Sequence, residues 1–72
     1  MIIYKVYDLQ DYEDSWATIN LETVRHFLLD LWVDLKDDDP YKKEIKAANV
    51  AQLLEMLEGC DYFLEVLPRG GG

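Results

Sequence analysis

The apolar positions of this chain change their spacing along its length, and each change predicts an element. In Ile2–Tyr7 (IIYKVY) every residue except Lys5 is β-branched or aromatic, the composition of a strand. The two-residue period places Ile2, Tyr4 and Val6 on one face and Ile3, Lys5 and Tyr7 on the other. The polar stretch after it reads as a loop, and Trp16–Ile19 (WATI) as a short returning strand.

From Leu21 the period becomes three and four. Leu21, Val24, Phe27, Leu28, Leu31, Trp32 and Leu35 form one stripe of a helix expected over 21–36, with Asn20 as its N-cap. Leu29 and Val33 fall outside that stripe, so a second element or another chain is expected over them. Asp37, Asp38 and Asp39 before Pro40 end the helix, because three acids oppose the dipole at a helix C-terminus and residues before proline disfavour helical angles. Asp39 and Pro40 also open the next helix as cap and first-turn proline.

That helix should run on to Gly59 with a break at Asn49, where Gln52 three residues later makes a capping box. Val50, Leu53, Leu54 and Leu57 give its inward stripe. Gly59 stands where a left-handed C-terminal cap belongs. Cys60–Leu67 (CDYFLEVL) is a second strand with Tyr62, Leu64 and Val66 on one face, and Pro68 stops it. The order of elements predicts an α+β fold: a small two- or three-stranded sheet formed by the chain ends, packed against two or three helices. Residues 1–67 read as a single domain and 68–72 as a flexible Gly-rich tail.

Composition narrows the function. With 72 residues the chain makes one small domain, and a half-apolar composition is enough for a core. Fifteen acids against seven bases give a formal charge of −8. That charge opposes direct binding to nucleic acid or to anionic membranes and favours a basic protein surface. Cys60 is the only cysteine, so no internal disulfide forms and a reducing, cytoplasmic setting is expected. No stretch approaches the ~20 apolar residues of a spanning helix, and the N-terminus does not read as a signal peptide.

Chemistry is sparse. Cys60 and His26 are single examples of their kinds, and a thiol after a helix C-terminus has its pKa raised rather than lowered. Zinc needs about four Cys or His ligands at close spacing. A calcium loop needs a glycine and a spacing that Asp8, Asp11 and Asp14 do not have. No phosphate-cradling glycine loop precedes a helix. The chain is therefore expected not to be an enzyme and to carry no metal or cofactor. The C-terminal LPRGGG is similar to the exposed end of ubiquitin-like modifiers, but those have one main helix and this chain has more. It is also similar to a sortase signal, which needs threonine where Gly70 stands.

The acids remain. Asp8, Asp11, Glu13 and Asp14 lie together with no base among them, threaded by Tyr7, Tyr12 and Trp16. On the expected first helix Asp30 and Asp34 are four apart, and Asp37 or Asp38 continues the row. Lys42, Lys43 and Lys46 follow closely enough to neutralise Asp37, Asp38 and Asp39; nothing local neutralises the cluster at 8–14. Rows of carboxylates on a rigid element could occupy a basic groove shaped for phosphates, with Tyr12 and Trp16 as apolar anchors. In size, acidity and lack of a catalytic set, the chain resembles the small inhibitors phages encode against host nucleic-acid enzymes: anti-restriction proteins, anti-CRISPR proteins and glycosylase inhibitors. The likeness is of general character over the whole chain and carries over no functional residues. It implies a DNA-mimic inhibitor in the host cytoplasm whose partner is a basic-surfaced nucleic-acid enzyme. The alternative is a structural or assembly protein that forms a homodimer through apolar helix faces.

Overall fold

In a computed structural model, residues 1–68 are described. Strand β1 (Ile2–Asp8) turns at Leu9 and Gln10 into β2 (Asp11–Thr18). Three helices follow, α1 (Leu21–Leu31), α2 (Pro40–Ala47) and α3 (Val50–Glu58), and β3 (Tyr62–Pro68) closes the sheet. The strand order is β2-β1-β3, and β1 pairs antiparallel with both neighbours. The two chain ends therefore meet, as their composition suggests, and their direction is antiparallel. Pro68 lies opposite Ile2 at the last position of β3, on an edge strand where a missing N–H is tolerated. The tail expected over 68–72 lies outside the described residues from residue 69 onward.

The helices cover one face of the sheet. Val6 and Leu64, cross-strand partners, meet Val24 and Leu28 of α1, Ile45 of α2, and Leu53 and Leu57 of α3, with Ala48 between the last two helices. All eight are buried. Tyr4, Trp16 and Tyr62 pack at the edge of this core from the same sheet face. The shortest dimension of the molecule is 15 Å, which leaves room for one sheet and one helical layer, since layers pack about 10 Å apart.

The helix starts follow local chemistry. The Asn20 side chain accepts from the Glu22 amide at 2.9 Å, and Asp39 from the Tyr41 amide at 2.8 Å. Asn49 and Gln52 form the reciprocal capping box, each bond 2.9 Å, so the expected break between α2 and α3 is real. Arg25 fastens the layer together. Its Nε and Nη2 donate to the Ala48 carbonyl at 2.9 and 2.7 Å, at the end of α2.

Four expectations need correction. The acidic stretch is not a loop: β2 begins at Asp11, inside it, and ends at Thr18. The first helix stops at Leu31, five residues short of Lys36. No basic side chain lies in its last turn, and continuing would add Asp34 to an end that already disfavours acids. Leaving the helix lets Trp32 pack edge-on against Tyr41, with centroids 5.3 Å apart, and lets Leu35 fold onto the core. The stripe is correspondingly shorter: Leu31 is exposed, whereas Leu29 packs against the core. Finally, Gly59 has φ −66° and ψ −15°; the left-handed residue is Asp61, at φ 64°.

Candidate interaction surface

The β1–β2 hairpin carries the densest acidic cluster on an irregular ladder. Tyr7 pairs with Ser15, but Asp8 pairs with Asp11, which leaves Tyr12, Glu13 and Asp14 with no residue opposite them on β1. A bulge of this kind twists a strand and turns its side chains outward. Tyr12 is 68% exposed, and Asp11, Glu13 and Asp14 are exposed around it. Asp8 and Asp11 face each other, a like-charge pairing that costs stability. Each does local work instead: Asp8 accepts from the Gln10 amide at 2.9 Å, and Asp11 from the Glu13 amide at 3.2 Å.

A fifth acid joins this end of the molecule. The Leu9 amide donates to the Asp61 carbonyl at 2.9 Å, and Gln10 Nε2 to the Asp61 carboxylate at 3.3 Å. The turn before β3 thus holds the hairpin tip in place and adds its own charge to it. Asp61 was legible in principle, since aspartate is one of the few residues that tolerate left-handed angles, but its neighbourhood to Gln10 is a product of sheet pairing. Among the described residues the ion pairs are Arg25–Glu22 and Lys42–Asp37. None of the hairpin acids takes part in one.

Trp16 is placed differently from Tyr12. It is half-buried, at the head of an aromatic row in which Trp16 meets Phe27 and Phe27 meets Tyr62, both edge-on with centroids 5.1 Å apart. Its remaining surface lines a shallow groove of about 280 Å³ with Thr23, His26, Phe27 and Asp30. That is below the usual range for a small-molecule site and suits a single side chain from a partner. Asp30 therefore stands beside Trp16, which the sequence treated as members of two separate clusters.

The expected row of carboxylates along the first helix does not form. Asp30 lies in α1, Asp34 in the turn beyond it, and Asp37 and Asp38 in the following connection. All four are exposed, but no single helix aligns them. Asp37 receives Lys42 Nζ at 2.7 Å. That hydrogen bond, with the charge of Lys42 behind it, holds the Asp37 carboxyl below its ordinary pKa of 3.8. Asp39 is committed to capping α2.

Elsewhere the chemistry remains thin. His26 is exposed on α1, and Cys60 is half-buried in the turn after α3. Burial, then the nearby Cys60 and Glu44, push the Tyr41 phenol above its ordinary value of 10.0. Among the described residues no group of three His, Cys, Asp or Glu side chains is disposed to hold a metal ion, and no helix is long and apolar enough to cross a membrane. The protein matches no family model, no curated protein and no solved structure.

Proposed function

We propose that this is a small acidic binding protein, not an enzyme, that inhibits or regulates a partner with a basic surface, such as a nucleic-acid enzyme, in the manner of a DNA mimic. One observation carries the reading: Asp8, Asp11, Glu13, Asp14 and Asp61 gather at one end of the sheet with no ion-pair partner among the described residues, beside the exposed Tyr12. Unpaired acids draw in a cationic surface at long range and repel acidic ones. Tyr12 supplies apolar area of the kind that interface centres favour. The test is capture of a partner from cell lysate with the wild-type chain as bait. A second bait carries Asp8→Asn, Asp11→Asn, Glu13→Gln and Asp14→Asn. A partner retained by the first, lost by the second and released by salt supports the reading. A partner held equally by both baits overturns it.

A second reading, an assembly protein that self-associates through apolar area, is favoured by a specific feature. Leu31, the last residue of α1, and Trp32 and Val33 after it make an exposed run, Val33 at 75%. Such association should be insensitive to salt, which separates it from the first reading.

A further inference from the structure

The face of the sheet turned away from the helices has an unusual composition. The strand registers put Ile3, Lys5 and Tyr7 of β1, Ser15 and Ala17 of β2, and Phe63, Glu65 and Leu67 of β3 on it. A solvated antiparallel face normally alternates to polar residues. Here two positions in eight are charged, and Phe63 and Leu67 are exposed, at 38% and 36%.

The two charges are already reconciled. Lys5 and Glu65 are direct cross-strand partners. Tyr7 joins them: its hydroxyl donates to Glu65 Oε1 at 2.7 Å, and Lys5 Nζ stands 4.9 Å from its ring centroid. The face is thus net neutral and internally bonded on a molecule of charge −8. When the face is covered, Glu65 keeps the Tyr7 hydroxyl as its hydrogen-bond partner and Lys5 keeps the Tyr7 ring beneath its ammonium.

We propose that this open sheet face is where the protein pairs with a second copy of itself, face to face about a two-fold axis running between β1 and β3. The proposal rests on the self-association reading and moves its surface from the end of α1 to the sheet. The axis brings β1 of one copy over β3 of the other, as an isologous interface requires. Lys5 then meets the partner's Glu65, Ile3 the partner's Leu67, and Tyr7 the partner's Phe63. These contacts repeat the register that β1 and β3 already satisfy within one chain. A second copy is the favoured occupant because a basic partner gains nothing from a neutral face, whereas another acidic chain meets no unpaired like charge on it. Seven residues along each strand and the two strands that overlap, β1 and β3, give roughly 24 by 10 Å. This is a small interface, so a weak, concentration-dependent dimer is expected.

Sedimentation equilibrium of the full chain tests this. A monomer–dimer equilibrium is expected that holds or tightens as salt rises from about 0.1 to about 1 M, since the screening length falls from ~10 to ~3 Å and the two −8 charges repel less. Phe63→Glu should weaken dimerisation about tenfold or more by trapping an unpaired charge, with Leu67→Glu as a second probe at the strand end should the first fail to fold. Lys5→Glu alone should weaken it, and Lys5→Glu with Glu65→Lys should restore it. A monomer at every concentration overturns both the proposal and the self-association reading. A dimer broken by Val33→Asp but not by Phe63→Glu overturns the sheet assignment alone. Failure of the charge exchange to restore association, in chains that melt normally, overturns the two-fold pairing.

Discussion

The two acidic runs of this protein, Asp8–Asp14 and Asp37–Asp39, look alike as strings and differ in what surrounds them. The second is absorbed. Asp39 caps α2, and Asp37 is held by Lys42, one of the lysines that follow in the same segment. Among the described residues the first is bonded by backbone amides alone, and it gains Asp61, held by the Gln10 side chain, from the turn before β3. Charge count therefore does not identify a binding surface. What matters is whether the fold gives each carboxylate a structural occupation, and the hairpin acids are left with charge to spare.

Both runs ride on one core, so the largest effect is expected there. Leu28→Ala should cost about 2–5 kcal/mol, the usual range for a buried leucine, and should loosen both acidic surfaces together. Leu31→Ala, on the exposed side of the same helix, should cost under about 1 kcal/mol. Urea melts compare the two, and equal losses would mean that α1 is rotated about its axis.

Next is the hairpin. Neutralising Asp8, Asp11, Glu13 and Asp14 together should slow association with a cationic partner by about tenfold or more at low salt and flatten the salt dependence. Thermal stability should hold or rise, because Asp8 and Asp11 no longer face each other as like charges. Stopped-flow association at two ionic strengths reads the first effect. An unchanged rate would reduce these acids to a solubility device.

The opposite balance is expected for the second run. Asp39→Ala should lower stability by about 1 kcal/mol through loss of the α2 cap, a shift of roughly 4–8 °C in Tm for a domain of this size. Partner association should not change. If association slowed as much as for the hairpin variant, the contrast between the two runs would collapse.

The smallest effect belongs to Asp37. Its pKa is lowered in the folded state, so its contribution is present above the ordinary carboxylate range and is lost as pH falls through the depressed folded value. Asp37 is fully exposed and its charge is screened by solvent, so Asp37→Asn should scarcely move the melt at pH 7. Wild type and variant should converge further as the pH is taken below about 4. A variant that diverged from wild type in acid would reverse the sign argued for Lys42.

Much of this architecture is written in local patterns. The alternation in Ile2–Tyr7, the caps at Asn20, Asp39 and Asn49, and the stripe of Val50, Leu53, Leu54 and Leu57 depend on residues within a turn or two of each other. They survive folding because nothing distant competes with them. The sequence also located the unneutralised acids at Asp8–Asp14. It misplaced the structure that carries them, because a strand start with a three-residue bulge and polar side chains has no period to detect.

What only the tertiary structure decided are the pairings that join distant segments. The end of α1 at Leu31 depends on Tyr41 and on the core site for Leu35, so a pattern running on through Trp32 and Val33 could not reveal it. The place of Asp61 beside Gln10, of Asp30 beside Trp16, and of Arg25 on the Ala48 carbonyl each depend on how the sheet and helices are layered. The neutral face built from Ile3, Lys5, Tyr7, Phe63, Glu65 and Leu67 exists only once β1 and β3 are in register. Local preference chose the elements, because backbone geometry and burial periodicity act over a few residues. Packing chose the surfaces, because a charge or an apolar group acquires its role only from the neighbours that the fold brings to it.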